Sequence, residues 1–394
     1  MPARRAWAPA LAGLLAAACT GGGAPAAGPV ATAYAPSGRV DLVDTSRTGG
    51  PVAVAGGGLW WPNPDHKAFT GRPLATLHPM TDIPTRAENA AVPRVRIPGA
   101  AYRVLEADGS LWVAGPKEIR RYDPGTLLRH PAAAPLARLK LREAVDEQWV
   151  FEMPLASGFG SVWAIVPGES APYGLTRHLV RIDPARNAVV SDTALGDGAE
   201  VPIALGAGPD RLYAVTAGAV TAVDPADGRV AAVANVDGLG HGARVILGAV
   251  VLDDALLLQV GEREAPRDGK AFVTLDLDTL AVRDRAPQQD DDRSRFVLNP
   301  MTSHHDEAWA AQGSGLIRIG PPGTGTPVVD DLLPQEGLPW ICPSTPAATD
   351  LALDGAVLWA SGQEGVWAIR ADALPMIHAP VPAYTAKACP PEDL

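Results

Sequence analysis

Cysteine, lysine and aromatic side chains are scarce in this chain. It holds only 3 Cys, Cys19, Cys342 and Cys389, and none belongs to a CxxC pair. The usual framework of a zinc or dithiol redox site is therefore missing. Positive charge is also in deficit. The 33 basic residues, nearly all Arg, face 44 acidic ones, for a formal net charge of −11. That balance argues against nucleic acid or an anionic membrane surface as partner. The apolar run Ala6–Ala18 is too short to cross a bilayer. Aromatics make up 5% of the residues, yet 10 of them are Trp. The positions of those few tryptophans mark out the fold.

Glycine (41) and proline (39) together supply about one residue in five. Their placement is turn chemistry rather than disorder. The stretch Val201–Val233 shows the unit. Val201–Leu205, Arg211–Val215, Ala219–Val223 and Arg229–Val233 are short apolar runs. Between them stand Gly-Pro-Asp, Thr-Ala-Gly and Asp-Pro-Ala-Asp-Gly. Short β-type runs cut by such residues describe a four-stranded meander.

The unit recurs. A turn before a large apolar residue and an aromatic occurs at Leu59-Trp60, Leu111-Trp112, Val162-Trp163, Leu212-Tyr213, Ala308-Trp309 and Leu358-Trp359, with Leu256-Leu257 as a variant. Successive anchors are 52, 51, 50, 44, 52 and 50 residues apart. A β pattern with that period predicts propeller blades. Five of the repeats also carry a second anchor, a strand ending in Asp: Asp123-Pro124, Asp183-Pro184, Asp224-Pro225 and Asp276-Leu277, with Gly320-Pro321 degraded. Asp at the start of a type I turn accepts a backbone N–H, so these carboxylates read as turn formers and not as a metal set. The repeated Trp reads as packing one sheet on the next. The expected fold is all-β: a seven-bladed β-propeller of four-stranded antiparallel blades.

Outside the repeat, Arg39–Asp44 is expected to close the ring by joining the last blade, because an open ring leaves an unpaired edge. Ala132–Glu147 has helical flavour, and Pro62–Arg94 is Pro-rich and hard to assign to strands. Gln288–Arg295, with three consecutive Asp, reads as a solvated loop.

The N-terminus combines Arg4-Arg5, the apolar run and Ala16-Ala17-Ala18-Cys19. Small residues before a Cys resemble the bacterial lipobox. The resemblance implies a signal peptide at 1–18, lipidation of Cys19, and a Gly/Ala/Pro-rich tether at 19–36 ahead of the propeller at 37–394. The chain would be secreted across the cytoplasmic membrane and lipid-anchored at the cell envelope. In that oxidising compartment the remaining Cys342 and Cys389 are expected to form a disulfide.

Ala107-Asp108-Gly109-Ser110-Leu111-Trp112, Gly208-Pro209-Asp210-Arg211-Leu212-Tyr213 and Asp354-Gly355-Ala356-Val357-Leu358-Trp359 resemble the repeats of bacterial extracytoplasmic propellers, the streptogramin lyase-like and YVTN-type groups. Asp224-Pro225-Ala226-Asp227-Gly228 is similar to quinoprotein repeats, without their full Trp-docking motif. The resemblance covers Val40–Pro382 and specifies architecture more than activity, since propellers host many functions.

The residues support two functional readings. In the first, the disc is a binding or scaffolding module and not an enzyme. A protein, glycan or small ligand sits on its loop face, the chain is a monomer, and no cofactor is required. Trp149, Glu152, Arg244, Arg295 and Trp340 are the binding candidates. Trp61 and Trp367 are further ones, set against a role in blade packing. In the alternative, which the lyase resemblance implies, His241 acts as base with Glu262 and Glu264 near a divalent cation. His304-His305-Asp306-Glu307 is expected on the opposite face, away from the inner-strand starts.

Overall fold

The computed structural model describes residues 40–44, 50–65, 67–77, 93–141, 153–171, 174–195, 201–239, 245–261, 271–287, 300–312, 315–319, 328–330, 350–362 and 365–371. All of these fall in the compact unit Thr32–Leu394. They form seven four-stranded antiparallel sheets. β1 is Val40–Asp44. Blade 1 is β2 (Ala53–Ala55), β3 (Gly58–Pro62), β4 (Ala68–Pro73) and β5 (Val95–Pro98). Blade 2 is β6 (Arg103–Ala107), β7 (Ser110–Ala114), β8 (Glu118–Tyr122) and β9 (Ala137–Lys140). Blade 3 is β10 (Leu155–Gly158), β11 (Ser161–Ala171), β12 (Gly174–Asp183) and β13 (Ala188–Ala194). Blade 4 is β14 (Pro202–Ala207), β15 (Leu212–Thr216), β16 (Ala219–Val223) and β17 (Val230–Asn235). Blade 5 is β18 (Val245–Val251), β19 (Ala255–Gly261), β20 (Ala271–Asp276) and β21 (Val282–Pro287). Blade 6 is β22 (Met301–His304), β23 (Glu307–Gln312), β24 (Gly315–Ile319) and β25 (Val328–Asp330). Blade 7 is β26 (Asp350–Asp354), β27 (Val357–Ser361) and β28 (Val366–Arg370).

The fourth strand of blade 7 is β1, with Val40 opposite Ile369 and Leu42 opposite Trp367. The expected closure by the N-terminal strand is thus the observed one, and it covers the edge that β28 would otherwise leave open. A buried clasp reinforces the seam. Asp44 accepts from Arg72 Nη1 at 3.1 Å and from Arg94 Nε and Nη2 at 2.9 Å each. Arg72 also donates to the carbonyls of Val43 and Thr76.

Tight turns join the first two strands of a blade. Gly56-Gly57, Asp108-Gly109 and Phe159-Gly160 all have positive φ at both positions, the geometry of a two-residue turn that matches strand twist. The carboxylates read as turn formers behave as such. Asp183 accepts from Ala185 N, Asp224 from Ala226 N, and Asp276 from Asp278 N and Thr279 N. Asp123 accepts from Thr126 N and caps a short helix, Pro124–Arg129.

The helical reading of Ala132–Glu147 is corrected: the helix stands earlier, at Pro124–Arg129. The described part of the later segment holds β9, where Leu139 packs inward between exposed Arg138 and Lys140. An alternating run three residues long is too short to be told from helical spacing in sequence. In the Pro-rich segment, β4 occupies Ala68–Pro73 and β5 begins just beyond its end.

The aromatic anchors pack between blades as expected. Trp60, Trp112, Trp163, Trp309 and Trp359 are all buried. Trp61 and Trp367 are buried too, so they are not surface contacts, and Trp61 packs the seam between blades 7 and 1. Opposite several anchors, the third strand presents either a glycine or an arginine. Gly71 faces Trp60, and a Cβ there would stand 2.2 Å from the indole. Arg121, Arg181 and Arg318 lie over Trp112, Trp163 and Trp309 at 5.4, 5.5 and 5.9 Å. Two of these guanidinium groups then reach the following blade. Arg121 donates to the Pro184 carbonyl at 2.5 Å, and Arg181 to the Pro225 carbonyl at 2.8 Å.

Candidate binding site: the central channel

Antiparallel blades arranged in a ring place one strand of each at the axis. Here these are β2, β6, β10, β14, β18, β22 and β26. Together with residues just before them they enclose a cavity of about 950 Å³. That volume suits a small organic ligand. Aliphatic side chains make up much of the wall, while its exposed surface divides about evenly between polar and apolar atoms. Leu105, Leu155, Ile203, Leu205, Val250 and Met301 line it half-buried. Small residues bring the inner strands close. A Cβ on Gly206 would meet Val251 Cγ2 at 2.6 Å, and one on Gly158 would meet the Ala207 Cβ at 2.5 Å.

Among the described residues two charged groups line this wall, Arg103 and Asp350. They occupy the first positions of β6 and β26, in blades 2 and 7, with blade 1 between them. Arg103 Nη1 and Asp350 Oδ2 are 2.5 Å apart. The inner strand of blade 1 has three residues, and Gly50, Pro51 and Val52 ahead of it also line the cavity. Its lead-in is tightly held: Gly50 has no room for a Cβ against the Tyr102 carbonyl, and its own carbonyl accepts from Ser361 Oγ at 3.1 Å.

The pair is joined at a single point. Asp350 Oδ1 accepts from Leu351 N at 2.9 Å, and its other oxygen takes Arg103 Nη1. Burial pushes the Asp350 carboxyl above the usual carboxylate range, with Arg103 pulling the other way. Arg103 Nε is buried without a hydrogen-bond partner among the described residues. At the other end of the inner strands, Asp253 Oδ2 and exposed His305 Nδ1 are 3.1 Å apart. The His305-Asp306 turn comes after its inner strand, as expected, and so stands opposite the inner-strand starts.

The binding candidates Trp149, Glu152, Arg244, Arg295 and Trp340 lie outside the described residues, as do His241, Glu262 and Glu264. So do Cys19, Cys342, Cys389 and the Gln288–Arg295 segment. Among the described residues no group of three or more His, Cys, Asp or Glu is placed to hold a metal ion. Sequence reasoning does not single out Arg103 and Asp350. The available signal is their position: each is the charged first residue of a mainly apolar inner strand.

No family model and no characterised protein sequence matches the chain. Chains of solved structures do match, 718 of them, and so broad a set identifies a fold rather than an activity. The WD40 domain of Pan2 from Neurospora crassa superposes with a TM-score of 0.53 at 13% identity, over 81% of this chain and 89% of that one. Hydrazine synthase from Kuenenia stuttgartiensis gives 0.56 at 12% identity, over 86% and 99%. The extracellular domain of a hybrid two-component system from B. thetaiotaomicron gives 0.51 at 10%, over 84% of this chain and 39% of that one.

Proposed function

We propose that this chain is an extracytoplasmic, lipid-anchored binding module whose ligand seat is the central channel. The observation that carries the binding reading is the channel wall: half-buried aliphatic side chains around a cavity of about 950 Å³, with the Arg103–Asp350 pair at its edge. Apolar surface left in a preformed cavity favours a small ligand that removes it from water. A closed ring stapled blade to blade supplies a rigid frame for such a seat. The anchoring half of the reading rests on Ala16-Ala17-Ala18-Cys19 and the uncharged tether behind it.

Each half has its own test. A neutral apolar photoprobe, such as a phenyl diazirine, is irradiated with the full chain and the labelled peptides are mapped. Labels are expected on the inner strands β10, β14 and β18. Labelling confined to outer strands would remove the channel as the seat. For the anchor, Cys19→Ser is expected to move the protein from the membrane fraction to the soluble fraction and to abolish incorporation of labelled palmitate.

A further inference from the structure

The channel carries more information than its shape. Among the described residues one cation lines its wall, Arg103, and that cation is only partly used. Its guanidinium offers five N–H donors in a planar fork. The described contacts engage Nη1 alone, with Asp350 Oδ2. Nε is enclosed and unpartnered among the described residues. Nη2 makes none of the described hydrogen bonds. An arginine matched only to its counter-ion often takes it through two parallel bonds, and here it does not. The counter-ion is itself a reluctant partner, because its burial disfavours the charged form.

We propose, building on the reading of the channel as a ligand seat, that the ligand is a small organic monoanion. It carries a carboxylate on an apolar body, with the carboxylate on Arg103 and the body against Leu105, Leu155, Ile203 and Leu205. Asp350 is the resident counter-ion of the empty site. It keeps Arg103 from standing unpaired, and the ligand's carboxylate competes with it for the same donors. Among the described residues one guanidinium faces the channel, and Asp350, whose burial disfavours the charged form, yields to the single negative charge of the ligand. An ammonium ligand would meet Arg103 with like charge and could pair only with Asp350, whose burial disfavours the charged form. A neutral one would bury the apolar wall but leave the spare donors unmet.

The test uses three probes that share one apolar body: 4-phenylbutyrate, 4-phenylbutan-1-ol and 4-phenylbutylamine. Binding of each to the full chain is measured by titration calorimetry. The carboxylate is expected to bind ~10-fold or more tighter than the alcohol, with the amine weakest, as a charge-assisted hydrogen bond would give. Arg103→Gln is expected to erase the carboxylate's advantage while leaving alcohol binding unchanged. Asp350→Asn, which keeps an acceptor for Leu351 N, is expected to tighten carboxylate binding ~3- to 10-fold, the gain from removing a competing charge. Equal affinities for carboxylate and alcohol in the unaltered chain would overturn this proposal and leave the channel seat standing. The same holds if the Asp350→Asn chain, checked for an intact melting transition, binds the carboxylate no better. If none of the three binds and the photoprobe misses the inner strands, the channel reading itself fails. If both variants simply lower the melting temperature with no change in any affinity, the pair is a tie between blades 2 and 7 and the proposal is wrong.

Discussion

Tyr213 is the anchor position at which a phenol replaces an indole, and the substitution has a chemical consequence. Its hydroxyl donates to the Leu277 carbonyl of the next blade at 2.8 Å. Burial, the largest influence, raises its pKa to about 12. The folded chain therefore holds this proton to higher pH than the unfolded chain, whose tyrosines ionise at about 10. A raised pKa of this sign adds stability that is complete below the unfolded value and is lost as pH rises through the folded one. Ultraviolet titration should show one of the 6 tyrosines ionising at about pH 12, and Tyr213→Phe should delete that step. A full set of ionisations at about pH 10 would mean that the hydroxyl is not held in this way. Position 213 is legible in sequence as an anchor. Its partner is not, because Leu277 lies 64 residues away.

At the level of the element, each blade is a meander whose turns are written locally and whose grip on its neighbour is not. The Asp-Pro turns read as local devices in sequence. In the ring they take a second role, since their prolyl carbonyls receive the arginine of the preceding blade. Arg181 makes the point fully. It lies over Trp163, donates to Ser161 Oγ at 2.8 Å, and reaches the Pro225 and Ala226 carbonyls in blade 4. Replacing it by Ala removes a stack and its hydrogen bonds at once, which corresponds to about 1–3 kcal/mol. Chemical denaturation should register that loss, and Arg181→Lys should restore only part of it, because an ammonium lacks the planar fork. A variant as stable as the parent would show the bonds to be idle. Arginine two residues before the turn Asp is visible in the sequence at 121 and 181. Only the ring puts the next blade within its reach.

For the whole molecule, the seam between blades 7 and 1 is where closure is decided. Asp44 lies wholly buried at the end of β1 between Arg72 and Arg94. Removing one member of a buried ionic cluster leaves the others uncompensated, at a cost of about 3–5 kcal/mol. Asp44→Ala is expected to lower stability by that order. Arg96→Ala breaks the exposed pair with Asp65 and should change it by less than ~1 kcal/mol. Comparable losses in the two variants, measured by denaturant titration, would contradict a seam-centred account of ring stability. The channel should respond as well, since Arg103 and Asp350 stand on either side of blade 1.

Local physics is enough to determine the architecture of this protein. Strand period, turn residues with positive φ or a helpful carboxylate, and an aromatic recurring about every 50 residues are all short-range signals that survive in one dimension. They predict seven blades and the strand that closes them. The helix at Pro124–Arg129 and the strand at Ala137–Lys140 escape such a reading because their patterns are only a few residues long. The tertiary structure alone decides which residues meet. Asp44 with Arg94, Arg121 with Pro184, and Arg103 with Asp350 are separated by 50, 63 and 247 positions. No local pattern marks such pairs. They exist because ring closure brings distant parts of the chain together.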